Sequence, residues 1–272
     1  GAAYKFDTTP VIGNLTLKAI WMPAAGQWKS NSTGKWYEYS DGSYIKNDWL
    51  NDGGKWYHFN SYGYMQTGWQ ETTAPESEQV NWYYFDASGA MATGWRLLNG
   101  TWYYLDTTTG GMYENGQYPI AGKKYYFNSN GAMQTGWVNS GTKEAPIWYY
   151  YDASGAMATG WAYIGSTWYY LGADGVMEIG QFSDGKANYY ANASGAMQTG
   201  WVNTGTTAAP IWYYYGPSGA MVTNAWAGDY WLGDDGKMVT DSWVDNDKYY
   251  VGPDGKWDSS KKPAADSGSE TE

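Results

Sequence analysis

Nineteen tryptophans and 29 tyrosines stand in a chain of 272 residues that has a single histidine, His58, and no cysteine. The spacing of the tryptophans is where binding chemistry is to be sought. Trp49 and Trp56, Trp95 and Trp102, and Trp161 and Trp168 are each seven residues apart. Longer links join Trp69 to Trp82, Trp137 to Trp148 and Trp201 to Trp212. A short link brings two indoles to one junction, and the next segment of chain can add a tyrosine. Three ring faces around a gap make a cage of negative quadrupoles. Such a cage suits a bulky cation that cannot donate a hydrogen bond, such as a quaternary ammonium. Each face contributes about 0.5–2 kcal/mol, so one cage holds its ligand at roughly millimolar strength. Several cages facing one polymer would convert weak sites into firm attachment through effective concentration.

The rest of the composition removes other chemistries. Lys and Arg number 16 against 27 Asp and Glu, a net charge of −11, which argues against binding nucleic acid through a basic patch. Without cysteine there is no disulfide scaffold, thiolate metal site or Cys nucleophile. One histidine excludes a His-rich metal centre and leaves little for a Ser-His-Asp arrangement. No apolar run approaches the roughly 18–20 residues of a membrane helix, so membrane insertion is not expected. Acidic residues such as Glu38, Asp41, Asp86 and Asp152 mostly occupy turn positions, where capping of the local backbone accounts for them. No catalytic residue, metal site or cofactor is assigned. Gly1 begins no leader-like segment, so the chain reads as a mature form or an excised fragment.

The elements that position the rings are repeats. Nine of ten methionines lie in the pattern Gly-x-Met, from Met65 to Met238, 17 to 26 residues apart. A Trp-Tyr-Tyr triplet or a variant precedes most of them by nine residues, and a Trp follows most of them by four. Tyr44 and Trp257 occupy the methionine slot of two further units. Eleven units of about 20 residues therefore lie between Trp28 and Trp257. Each reads as a hairpin: a β-favouring aromatic run, a turn such as Asp86-Ala87-Ser88-Gly89, then a returning strand. One hairpin is marginal in water, whereas stacked copies bury each other's faces. Met-Gln-Thr-Gly-Trp recurs at 65–69, 133–137 and 197–201, so every third unit is of one kind and about three hairpins complete a turn. The fold class expected is all-β, a β-solenoid of stacked hairpins. Residues 25–257 form it, 1–24 are a separate N-terminal piece, and 258–272 lack aromatics and read as disordered.

The string Gly-Trp-x(5)-Gly-x-Trp-Tyr-Tyr with a downstream Gly-x-Met-x-Thr-Gly-Trp resembles the choline-binding repeats of Gram-positive surface proteins and phage lysins, over about 28–257. The resemblance implies a left-handed solenoid and sites for the choline or phosphocholine of teichoic and lipoteichoic acids. It implies a non-catalytic module that anchors a secreted surface protein or adhesin to the cell wall, with host surface or matrix components as further partners. Each site would combine two Trp with one aromatic of the following hairpin. Carried over, the sets are Trp49, Trp56 and Tyr83; Trp69, Trp82 and Tyr103; and Trp95, Trp102 and Tyr125. The remaining three are Trp137, Trp148 and Tyr169; Trp161, Trp168 and Tyr189; and Trp201, Trp212 and Tyr230. The first Tyr of each triplet is chosen over the second. Trp28 with Trp36 and Tyr57 is a looser set, because that unit is one residue short before its turn glycine.

Departures from the pattern carry expectations too. Gln117 with Lys124 and Gln181 with Asn188 remove both indoles from their junctions, and Asp229 and Lys248 replace the opening Trp of the last two units. Ligand is then expected along only two of the three edges of the rod. Residues 1–24 resemble the closing half of an internalin-type β-grasp repeat. Three alternatives remain: a glucan- or host-glycan-binding repeat, to which Gly122–Gly131 bears a likeness; the wall-targeting part of a cell-wall hydrolase; and a structural spacer.

Overall fold

A computed structural model describes residues 26–263 apart from 76 and 78. The expected β-grasp remnant at 1–24 and most of the expected tail lie outside the described residues. Among the described residues all regular structure is strand, 22 in number, paired into eleven two-stranded sheets, each from strands consecutive in sequence. Hairpin 1 joins β1 (Gln27–Ser30) to β2 (Lys35–Glu38), hairpin 2 joins β3 (Trp49–Asp52) to β4 (Lys55–His58), and hairpin 3 joins β5 (Gly68–Thr73) to β6 (Val80–Phe85). Hairpins 4 to 6 are β7 (Gly94–Leu98) with β8 (Thr101–Leu105), β9 (Gly116–Ile120) with β10 (Lys123–Phe127), and β11 (Gly136–Asn139) with β12 (Trp148–Tyr151). Hairpins 7 to 9 are β13 (Gly160–Ile164) with β14 (Thr167–Leu171), β15 (Gly180–Ser183) with β16 (Asn188–Ala191), and β17 (Gly200–Asn203) with β18 (Trp212–Tyr215). Hairpin 10 is β19 (Ala225–Ala227) with β20 (Tyr230–Leu232), and hairpin 11 is β21 (Ser242–Val244) with β22 (Tyr249–Val251).

The chain divides into two compact units, one reaching Leu98 and including Tyr104–Met112, the other holding Asn99–Tyr103 and everything from Tyr113. Both are built from the same solenoid hairpins. The seven-residue spacing between paired tryptophans is set by a tight turn. In hairpin 7, Gly165 and Ser166 both have positive φ, 55° and 67°, between the paired residues Ile164 and Thr167. That two-residue loop has the twist the flanking strands need.

Successive hairpins are joined by a backbone hydrogen bond. The amide of the residue in the methionine slot donates to the carbonyl that opens the triplet of the hairpin before. Met91 reaches Trp56 at 2.8 Å, Met177 reaches Trp148 and Met197 reaches Trp168, both at 2.9 Å, and Trp257 reaches Asp229 at 2.8 Å. In each unit the core is a column with one residue from nearly every hairpin, at the third position after the triplet opens. Phe59, Phe85, Leu105, Phe127, Tyr151, Leu171, Tyr215, Leu232 and Val251 occupy it with no exposed surface, and Ala191 has almost none. One buried side chain per hairpin is a thin core. The remaining rings have to stack in the grooves between hairpins.

The methionine side chain fills the space over the next hairpin's turn glycine. At Gly155, φ is +81° and an added Cβ would lie 2.3 Å from Met133 Sδ. At Gly160, φ is +75° but a Cβ would meet open space. Gly160→Ala is therefore expected to cost only left-handed backbone strain, about 1–2 kcal/mol. Gly155→Ala should cost about 1–3 kcal/mol more, by displacing a packed thioether. Urea midpoints of the two variants provide the test, and equal losses would contradict this packing.

Candidate functional site

Strand alternation decides which rings meet. In hairpin 7, Trp161 stands directly opposite Tyr170, and Trp168 stands opposite Tyr163, one diagonal step away. These four share one face. The two indoles lie 6.3 Å apart between ring centroids at 86°. Tyr169 and Leu171 point to the other face: Leu171 enters the core, and Tyr169 meets Trp137 of the preceding hairpin at 4.9 Å. The first tyrosine of this triplet thus serves the hairpin before its own, and the residue after it packs against its own closing Trp. The same relation recurs for Tyr57 on Trp28 at 4.9 Å, Tyr83 on Trp49 at 5.0 Å, Tyr189 on Trp161 at 4.6 Å and Tyr230 on Trp201 at 5.1 Å.

Two of the expected sets enclose open pockets. Trp161, Trp168, Tyr189 and Met197 line a cavity of about 290 Å³, with Ser218 at its exposed edge. Trp201, Trp212, Tyr230 and Met238 line one of about 380 Å³, with Asp254 at the corresponding edge. The indoles of the second pair are 6.5 Å apart at 85°. Each pocket therefore draws two indoles from one hairpin, a phenol and a thioether from the next, and an edge residue from the turn after that. Neither the edge residue nor Phe182 was singled out by the sequence pattern. Phe182 stacks on Tyr170 at 5.0 Å and on Tyr189 at 5.7 Å, bracing the Tyr189 wall.

The other sets are assembled to different degrees. Trp137 meets Tyr169, and Trp148 lies diagonally from Trp137 on the same face of hairpin 6. Trp49 and Trp56 are 6.2 Å apart at 86°, but Tyr83 is wholly buried and His58 and Phe85 crowd Trp49 at 5.0 and 5.4 Å. That third wall is turned inward. Trp69 and Trp82 belong to the first compact unit and Tyr103 to the second, while Trp95 belongs to the first and Trp102 and Tyr125 to the second. Within the first unit, Trp69 packs on Tyr84 at 5.2 Å and Trp95 on Tyr104 at 5.1 Å, each the second Tyr of its own triplet.

The grouping of Trp28 with Trp36 is corrected. Lys35, whose carbonyl accepts from the Met65 amide, occupies the slot that Trp56 fills one hairpin later. Since the unit is one residue short, Trp36 alternates onto the opposite face. Trp28, Tyr57 and Met65 line a pocket of about 290 Å³ together with Lys29, Ser30, Lys35 and Ser88. Trp36 lies in a separate pocket with Glu38, Tyr44, Tyr62 and Tyr64. Asp229 also removes less than its slot suggests, because Trp226 meets Tyr249 at 5.5 Å and Trp257 lies 5.8 Å from Tyr249.

Where glutamine replaces the closing Trp, a polar contact replaces the ring stack. Gln117 Nε2 donates to Tyr151 Oη at 2.8 Å, and Gln181 Nε2 donates to Tyr215 Oη at 3.1 Å. Tyr151 and Tyr215 are the two tyrosines of the core column, which elsewhere holds Phe, Leu, Ala or Val. The lost indole is thus matched by a longer core residue that reaches out to the amide.

Three closing indoles donate to an acceptor on the next hairpin. Trp28 Nε1 donates to Asp52 Oδ2 at 2.8 Å, Trp49 Nε1 to the Thr73 carbonyl at 2.8 Å, and Trp161 Nε1 to Asp184 Oδ2 at 3.0 Å. The Trp161 indole, helped by the amides of Ala187 and Lys186, holds the Asp184 carboxyl down at about 2. Asp41, Asp86 and Asp152 cap their turns, each accepting from the serine two residues on, which lowers all three carboxyls below the usual range. His58 is buried against Gln66 and Thr72, and desolvation pushes its imidazole below the ordinary 6.5. No group of His, Cys, Asp or Glu among the described residues is arranged to hold a metal ion.

Family models described as choline-binding repeats match residues 77–116, 115–159 and 144–182, and 220–257, and one described as a putative cell wall binding repeat matches 47–65. Among solved structures, the chain is similar to choline binding protein F from Streptococcus pneumoniae: 27% identity, 85% of this chain and 98% of that chain covered, TM-score 0.52. The same figures hold for that protein in the presence of a peptidoglycan analogue, a tetrasaccharide-pentapeptide. CbpJ from Streptococcus pneumoniae aligns at 28% identity over 79% of this chain and all of that chain, TM-score 0.48. No curated protein matches the sequence.

Asp184→Ala is expected to free the Trp161 indole, shifting tryptophan emission to the red, and to lower the unfolding midpoint modestly because the Lys186 and Ala187 amides lose their cap. Asp184→Asn, which keeps an acceptor oxygen, should retain the native spectrum. For His58, a base whose folded value is lowered leaves the unfolded chain as the better proton binder below about pH 6.5, so stability falls as pH drops through that value. His58→Tyr, the residue most other hairpins carry in this slot, should reduce the loss in melting temperature between pH 7.5 and 5.5.

Proposed function

The chain belongs to the choline-binding repeat family, and from that footing we propose that it is a non-catalytic wall-anchoring module. Its aromatic pockets take the choline or phosphocholine of teichoic and lipoteichoic acids and hold a surface protein to the cell. The observation that carries this reading is the recurrence of one pocket chemistry in hairpins 7 and 9. In each, two crossed indoles, a phenol from the next hairpin and a methionine surround a ligand-sized opening. Ring faces and a polarizable thioether attract a methylated cation without needing hydrogen bonds from it. A sugar would ask for several free amide and carboxylate partners, whereas the polar lining of the Trp161 pocket is Ser218 and the Tyr189 phenol, and the Asp184 carboxylate beside them is engaged by Trp161, Tyr189 and two backbone amides. The overall negative charge adds a weak long-range pull on a cationic head group.

The expected behaviour is retention on immobilised choline and release by free choline at a concentration where equal NaCl leaves the protein bound. The chloride arm matters because a pI near 4.5 alone retains the chain on a cationic resin. Trp168→Ala and Trp212→Ala together should lower the choline needed for elution. Each lost face weakens its pocket by about 0.5–2 kcal/mol, or roughly 2- to 30-fold. Elution by choline and NaCl at the same ionic strength would refute the proposal.

A further inference from the structure

Three open pockets share an aromatic and methionine lining but differ in the charge at their edges. In the Trp28 pocket the slot that elsewhere carries the second indole holds Lys35, an exposed lysine paired across the strand with Ser30, and Lys29 also contributes to the lining. In the Trp161 pocket that slot is Trp168 and the turn residue at the edge is Ser218, which is uncharged. In the Trp201 pocket the slot is Trp212, but the edge residue is Asp254, an exposed carboxylate whose Oδ1 accepts from the Lys256 amide. Asp52 and Asp184 stand in the same relation to the first two pockets, each bound to the closing indole, so they do not distinguish them. Asp86, in the turn that supplies Ser88 to the Trp28 pocket, accepts from the Ser88 amide and hydroxyl.

We infer that the three pockets read different parts of one zwitterionic ligand. The Trp28 pocket prefers phosphocholine, its rings and Met65 taking the trimethylammonium while Lys35 meets the phosphate. The Trp161 pocket is indifferent to the phosphate. The Trp201 pocket prefers bare choline, because Asp254 repels the phosphate and attracts the cation. The inference rests on the choline reading above and adds a graded selectivity to it. Edge charges are solvent-screened, so each charge changes the preference by about 2- to 5-fold at low ionic strength, and the difference shrinks as salt is added.

The test uses the full chain labelled with 5-fluorotryptophan, with the resonances of Trp28, Trp168 and Trp212 assigned by single Trp→Phe variants. Choline and phosphocholine are titrated separately at low ionic strength. The ratio of choline to phosphocholine midpoints should exceed one at Trp28, lie near one at Trp168 and fall below one at Trp212. Lys35→Gln should bring the Trp28 ratio to that of Trp168, and Lys35→Arg should keep it high. Asp254→Asn, which retains the oxygen that caps the turn, should raise the Trp212 ratio toward one. Unchanged responses at Trp168 in every variant establish that the fold is kept. Equal ratios at all three indoles, or a Trp28 preference that survives Lys35→Gln, overturn the inference while leaving choline binding intact. Silence of every resonance to both ligands overturns the choline reading and the inference with it.

Discussion

A two-stranded hairpin has two faces and no interior, and the architecture of this protein follows from that constraint. Each hairpin contributes about one fully buried side chain to the core column. Its other large rings must be covered by a neighbour or left partly wet. Strand alternation then fixes the division of labour. The residue that opens the triplet and the second tyrosine share a face with the closing Trp, while the first tyrosine and the core residue face the other way. A pocket is consequently a property of a joint between hairpins, and no single repeat contains one. Tryptophan and tyrosine suit this duty because a broad apolar ring can lie against a neighbour while its polar tip stays hydrated or finds a fixed acceptor. Asp52, Thr73 and Asp184 supply such acceptors to three closing indoles.

Much of this was legible before any coordinates. The Gly-x-Met spacing marks the hairpin count, and the eleven hairpins follow it closely because turn glycine and methionine form one packed contact. Strand alternation turns the first tyrosine, here Tyr169 and Tyr189, toward the closing Trp of the hairpin before and away from the face of Trp168 and Tyr170. Lys35 is hidden in the sequence because Trp36 matches Trp56 in residue type, whereas pairing across the turn puts Lys35 in that slot. In a strand, one residue of offset is the difference between two faces. Phe182 and the edge residues Ser218 and Asp254 were not legible, since they come from neighbouring hairpins and only the stacking brings them near. The inward turn of Tyr83 was equally hidden. It depends on how Phe85 and His58 pack around Trp49.

The repeats diverge in a correlated way, which suggests that each joint is tuned as a set. Loss of the closing indole at Gln117 and Gln181 coincides with tyrosine at Tyr151 and Tyr215, and the two changes are complementary in hydrogen bonding. Asp229 in the opening slot coincides with Trp257 where methionine usually lies, so that joint keeps its complement of rings in another arrangement. Such coupling is the nearest-neighbour logic of repeat proteins: a substitution is judged by the hairpin stacked on it.

The methionines belong to two structures at once. On one side the thioether of Met197 borders the pocket framed by Trp161 and Trp168, and on the other it lies over Gly219, where even a single added carbon would collide. Conversion of that sulfur to its sulfoxide would make the side chain polar and bulkier. The same oxygen atom would wet the aromatic pocket and pry at the seam between adjoining hairpins. Oxidative damage would thus disturb pocket and backbone together, at whichever seam it struck.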